Sequence, residues 1–222
     1  MPSQAGQKFA ENRKDVERLV EIHVDLVGDE SGRKYGVEVL NKSAVVLICA
    51  AWEAYVEDLV QEGLGHICTH CPDPNRLPPN LQREIADEIK RESGSNPVAP
   101  WKLAANGWRT ELQNNLTRLK AQYVHHWNTP KSDKVDFLIE KSLGLANLSS
   151  NWKRTTLTVT KARKKLDDYV GLRGDIAHRL TPSKTVYKHN VTGFLEHVAR
   201  LVEFTDNAVN RHLHSTTGQR LF

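Results

Sequence analysis

The stretch VEVLNKSAVVLICAAWEAYVEDLVQEGLGHI, residues 37–67, decides the fold. Its centre, Ala44 to Trp52, is an unbroken apolar run of nine residues. The segment is apolar on every side, so periodicity alone does not separate a buried helix from a buried strand. Its length, its alanine content and the absence of turn residues before Gly63 favour a helix.

The flanking sequence follows helical spacing. Residues 5–27 place Phe9, Val16, Leu19, Val20, His23 and Leu26 near one stripe, with charges between them. DESGRKYG (29–36) separates that helix from the apolar one. CPDPNRLPPN (71–80) holds four prolines in ten residues and reads as loop. An Asn80 cap signal opens a short charged helix over 80–92. SGSNPVAP (93–100) is loop, and 101–127 reads as one helix with Gly107 as its weak spot. After Thr129-Pro130, a short helix is expected from Ser132 or Asp133 to about Leu143, then loop over 144–152. Long helices over 155–180 and 184–214 follow, divided by Leu180-Thr181-Pro182, and the tail STTGQRLF is expected to fray. No alternating run of useful length and no internal repeat occurs. The expected fold class is all-α: a helical bundle in a single domain over 1–222, with 68–150 as a loop-rich helical insertion.

Composition sets outer bounds. The chain has 222 residues, 39% hydrophobic and 26% charged, which suits a folded domain rather than a disordered chain. No apolar run reaches the roughly 18–20 residues of a membrane span, so no membrane association is expected. No apolar stretch follows a positive segment near the N-terminus, so no secretory signal is expected. Three cysteines do not make a disulfide framework, and a reducing cytoplasm is the expected location. The net charge of +4 permits an anionic partner without demanding one.

The helix at 155–180 carries the chemistry. Ala162, Leu166, Tyr169, Val170, Ile176, Ala177 and Leu180 form its apolar stripe. Arg173 falls on that stripe, where a permanent charge needs a partner. One reading is an ion pair with an acidic core residue and nothing more. Asp167, Gly171, Gly174 and His178 line up along a different side. Two glycines inside a helix cost about 1 kcal/mol each relative to alanine, but they permit close approach by another helix or a ligand. Alternatively, Gly171 breaks the helix and His178 satisfies its last carbonyls.

VGLRGDIAHRL (170–180) resembles the signature of the HEPN superfamily, an all-α group in which an arginine is followed, after four to six residues, by a histidine near the end of a late helix. Here the pair is Arg173 and His178, with Leu172, Ile176 and Ala177 in the family's usual surroundings. SAVVLICAAWEAYVEDLV (43–60) resembles the buried early helix of a subset, nearest the RiboL-PSP-HEPN type. Many catalytic members carry a polar residue directly after the arginine; this chain has Gly174 there and Asp175 one place later.

The resemblance implies a metal-independent endoribonuclease with Arg173 and His178 as catalytic residues and no cofactor. It implies attack by the ribose 2′-OH, leaving a 2′,3′-cyclic phosphate and a 5′-OH end. It further implies a homodimer with a composite active site, RNA as substrate, and a toxin or phage-defence role with a possible antitoxin or regulatory partner. The alternative is a catalytically silent module that binds RNA, nucleotide or a protein with the same groove. Arg173 and His178, five residues apart, stand about 140° apart around a helix, so one helix does not easily aim both at one atom. Gly174 and Asp175 are expected to support the site. Glu53, a carboxylate in an apolar run, pairs either with Arg173 or with another cation. Lys161, Lys164, Lys165 and Arg179 are candidate RNA-binding residues, and a solvated helix face is the competing reading.

His66, Cys68, His70 and Cys71 lie within six residues, and Cys68 and Cys71 have the spacing of a zinc knuckle. No second such pair exists, although His125-His126 could supply one, so no metal site is assigned. The five tryptophans are expected to pack rather than stack on bases.

Overall fold

The computed structural model describes residues 1–28, 36–124, 127, 129–179 and 185–222. These form eight α-helices: α1 (Gln4–Val27), α2 (Glu38–His70), α3 (Pro79–Ser93), α4 (Gly107–Asn114), α5 (Leu116–Val124), α6 (Ser132–Leu143), α7 (Val159–Arg179) and α8 (Lys188–Thr217). Short 3₁₀ turns lie at Pro74–Arg76, Ala99–Leu103 and Leu148–Asn151. No strand is present among the described residues, so the all-α class holds.

The bundle is arranged around α2. Val45, Ile48, Trp52, Val56, Leu59, Val60 and Ile67 are fully buried, and each such side chain gives roughly 1.5–3 kcal/mol relative to exposure. To bury all these sides, α2 packs against α1, α4, α5, α6, α7 and α8. The large aromatics in this core keep their polar atoms satisfied. Trp52 Nε1 donates to Pro130 O and Trp152 Nε1 to Thr205 Oγ1, both at 3.0 Å. Asp206 on α8 accepts from Ser3 N, Ser3 Oγ and Tyr55 Oη, tying the start of α1 to α2 and α8. Side chains from 68–150, including Leu81, Trp108, Leu112, Leu119 and Ile139, join the same contiguous core.

Several boundaries differ from the sequence reading, each for a local reason. The expected helix over 101–127 is three pieces. Ala99–Leu103 is a 3₁₀ turn, Ala105 takes a left-handed conformation (φ 51°), and α4 starts only at Gly107. A Cβ on Gly107 would fall 1.8 Å from Lys102 O, so only glycine fits this reversal. α7 starts at Val159 rather than 155, because Arg154 and Leu157 close a tight turn with reciprocal backbone bonds of 2.9 and 3.1 Å. Leu26 is 65% exposed, so the buried stripe of α1 ends at His23. The tail is not frayed. α8 runs to Thr217, Gly218 caps it in the left-handed region, and Asn210 Oδ1 accepts from Leu221 N. The expected boundaries at 180 and 184 lie outside the described residues.

His197 is a buried member of α8. Its Nε2 donates to Ala162 O at 3.0 Å, and burial, the largest cause, lowers its pKa to about 4. The unfolded chain protonates this histidine below its ordinary value near 6.5, whereas the folded chain does so only near 4. Stability therefore rises with pH through that window and is lost as pH falls through it. Between pH 6.5 and 5 the loss should be about 1.5 kcal/mol. Urea titrations at the two pH values should register it, and His197→Leu should flatten the dependence over this interval.

Candidate active site

α7 divides its side chains between two surroundings. Ala162, Leu166, Val170 and Ile176 are buried against the bundle. Arg173 lies on this inward side, and its Nη2 stands 3.7 Å from Glu53 Oε2 on α2. The guanidinium side chain keeps 33% exposure and the carboxylate 18%. Burial raises the Glu53 pKa, and Arg173 opposes that rise without cancelling it. Glu57, one turn on along α2, is raised by burial and by Glu53. Cys49 lies in the same neighbourhood; burial pushes its thiol up to about 12, with Arg173 pulling the other way.

The outward side is different. His178 is exposed. Gly171 and Gly174 lie inside the helix, which runs unbroken through both. Among the described residues, nothing beyond the chain neighbours and the helix's own backbone stands within 4 Å of where a Cβ on either would sit. Asp167, on the same line, faces protein instead. It accepts from Ser132 N (2.8 Å) and Ser132 Oγ (2.9 Å), satisfying a free N–H in the first turn of α6. The helix thus carries Arg173 fixed inward and His178 free, about 140° apart.

The Gly171 side of α7, with the first turn of α8, also lines a groove of about 890 Å³ that includes Lys161, Lys164, Lys165, Gly171, Asp175 and Asn190. The lysines differ in what they already hold. Lys161 is exposed. Lys164 pairs with Asp168 at 2.8 Å on the open surface, a contact worth little in water. Lys165 donates to Gly193 O at 2.9 Å, and burial lowers its pKa. Arg163, next to them, is held by Ser149 and Asp136. The side chain of Arg179 lies outside the described residues. Arg173 and His178 do not line this groove. Its residues share one helix face at spacings of three and four, a pattern present in the sequence but readable as a groove only once α8 is in place.

The cysteine and histidine cluster at the end of α2 is put to other uses. Cys68 and Cys71 are buried, Cys71 Sγ lies 3.3 Å from Asp73 O, and His66 Nε2 is within 3.1 Å of Thr217 Oγ1 and Gln219 O. Among the described residues, no three metal-ligating side chains converge; His125 and His126 lie outside them. Trp52, Trp108 and Trp152 are core residues, Trp127 packs against the core, and Trp101 is 77% exposed, contrary to the expectation of packing. It sits in the 3₁₀ turn that leads into the Gly107 reversal, away from the core.

A model of the RiboL-PSP-HEPN family matches residues 11–211. The chain belongs to this family. The match runs from α1 to α8 and includes the Arg173/His178 helix of this HEPN chain as well as the 68–150 segment between the long helices. No curated protein and no solved structure matches the HEPN chain.

Arg173→Ala should leave Glu53 half-buried without a countercharge, at a cost of about 1–3 kcal/mol at pH 7.5. With its pKa raised further, Glu53 would bind a proton in the folded state over a range where the unfolded chain does not, so the variant's stability should recover as pH falls towards 5. Adding Glu53→Gln should remove most of the defect and its pH dependence, as read by thermal melts of the two singles and the double.

Proposed function

We propose that this HEPN protein is an endoribonuclease that cuts RNA without a metal, by attack of the ribose 2′-OH on the adjacent phosphate. The observation that carries this reading is the division of one helix: a guanidinium anchored at Glu53, and an exposed imidazole beside two bare glycines. Imidazole exchanges protons near neutral pH. One His178 would take the 2′-OH proton as the 2′-oxygen attacks phosphorus, and a second would protonate the departing 5′-oxygen. The bond to the 5′-oxygen breaks, leaving a 2′,3′-cyclic phosphate. Arg173 spends one amino group on Glu53, which leaves other N–H donors for the phosphate oxygens as charge builds there.

The two roles need two protomers. Gly171 and Gly174 permit close approach of a second α7, and an isologous dimer brings two arginines and two histidines to one cleft. The surface beside the ion pair supports such an approach. α2 leaves Val39 64% and Leu47 41% exposed, and with Ser43 and Ile176 of α7 they line a shallow depression. The lysine groove, which runs along the Gly171 line of α7, gives an RNA strand a basic track, with Lys161 and Lys164 at its surface. A role as a toxin or defence effector, and an antitoxin that covers this surface, belong to the same reading.

The second reading is a silent module that holds RNA without cutting it. It is favoured by Gly174 directly after the arginine and by the engagement of Arg173 with Glu53. Cleavage assays separate the two. The wild type should cut mixed single-stranded RNA in EDTA and leave cyclic phosphate ends. His178→Ala should lower the rate by about 100- to 10,000-fold without lowering the melting temperature, because His178 is exposed. Wild-type protein that shifts RNA in a gel but cuts none would select the silent module, and loss of cleavage in EDTA would refute the proposed chemistry.

A further inference from the structure

The α3–α5–α6 side of the molecule holds a cavity of about 630 Å³ that the chemistry above does not use. Its size falls within the usual range of small-molecule sites. Three aromatic rings, Tyr123, Trp127 and Phe137, and three cations, Arg83, Lys134 and Lys141, contribute to its walls. Phe137 is 61% exposed, so core packing does not account for it. Lys141 Nζ stands 5.5 Å over the Phe137 ring.

The charges are unbalanced. Among the described residues, Glu84 is the only carboxylate in the lining, and it is already held by Gln122 at 2.9 Å and Arg118 at 3.5 Å. Among the described residues, Arg83 reaches only Asn80 Oδ1, at 3.5 Å, and no ion pair to Lys134 or Lys141 occurs. The cavity therefore presents three cations to whatever enters it.

A separate observation concerns the rings themselves. Among the described residues, Tyr123 Oη and Trp127 Nε1 are buried polar atoms without a hydrogen-bond partner. Such an atom costs about 1–3 kcal/mol, and two in one wall are not explained by stability. Burial also pushes the Tyr123 pKa up to about 12, so at neutral pH the phenol stays a donor. Both donors suit a ligand that brings acceptors on a flat ring, and a small rotation of either ring would uncover them.

We propose that this cavity binds a nucleotide, with its base against Trp127, Tyr123 and Phe137 and its phosphate on Lys134, Lys141 and Arg83. A base supplies a π-face for stacking and ring nitrogens and carbonyls as acceptors, and the phosphate matches the three cations. The nucleotide can be free or one residue of an RNA strand. The site does not depend on the cleavage reading, since neither Arg173 nor His178 takes part.

Titration calorimetry on the full chain tests it, with the four nucleoside 5′-monophosphates as probes. Phe137→Ala and the double variant Lys134→Glu/Lys141→Glu alter residues on the cavity lip, and thermal melts confirm that they fold. Each should weaken binding by about tenfold or more. A second arm titrates a single-stranded RNA of about ten nucleotides into His178→Ala protein, so that turnover does not enter the reading. Variant-sensitive binding of monophosphates supports a free nucleotide. Variant-sensitive binding of RNA alone supports a strand residue in the same cavity. Absence of binding in both arms, or binding that neither lip variant changes, overturns the proposal.

Discussion

A 33-residue helix that is apolar on nearly every side cannot lie on a surface, and this constraint shapes the whole molecule. α2 has to be enclosed, and six other helices do so. The polar bonds of the core serve the same end. Trp52 and Trp152 find acceptors in a loop and in α8, and Asp206 gathers Ser3 and Tyr55 so that α1 closes over α2. The enclosure is incomplete along one strip, where Val39, Ser43, Leu47 and Ala50 remain exposed.

The ion pair between Arg173 and Glu53 lies where α7 meets α2. Stability does not explain it. The contact is a single one of 3.7 Å, and burial raises the Glu53 pKa in spite of the cation beside it. A pair of this kind is often no better than apolar residues of similar volume. It makes more sense as a support: Glu53 fixes the direction of a guanidinium that keeps a third of its surface open. On the other side of α7, two glycines keep the surface bare around a free imidazole. The helix holds these two side chains in different settings, one paired and half-buried and one exposed, and turns them apart. Beside them lies the strip that α2 leaves uncovered.

Much of this was legible in the sequence because it rests on local rules. The extents of α1, α2, α3 and α6 follow from periodicity and proline placement; the expected Asn80 cap does not form, because α3 opens one residue earlier at Pro79, behind Pro78, with no side-chain cap. The inward position of Arg173 follows from its spacing to Val170 and Ile176, and Glu53 stands out as a carboxylate in an apolar run. The failures come from tertiary geometry. Gly107 looks like a weak helix residue until Lys102 O is found against it. Asp167 belongs to the open face by its spacing, yet α6 docks there and takes its carboxylate as a cap. Lys165 reads as part of a basic run, and only the path of α8 commits it to Gly193. The tail looks frayed because its anchors, Asn210 and Thr217, lie on a helix that comes before it. The cavity beside Trp127 is assembled from three separate helices and has no signature in any one of them.

The central claim is that Arg173 and His178 act together only across two copies of the chain. Subunit complementation tests it most directly. Arg173→Gln and His178→Ala chains, each inactive alone, would be co-expressed with different tags and the mixed dimer isolated through both. Such a dimer retains one arginine on one chain and one histidine on the other. The mixed dimer keeps only one of the two histidines, so a composite cleft predicts RNA cleavage well above either parent but below the wild-type dimer. A mixed dimer as inactive as either parent, beside an active wild-type dimer carrying the same two tags, would contradict it and return the pair to a single chain.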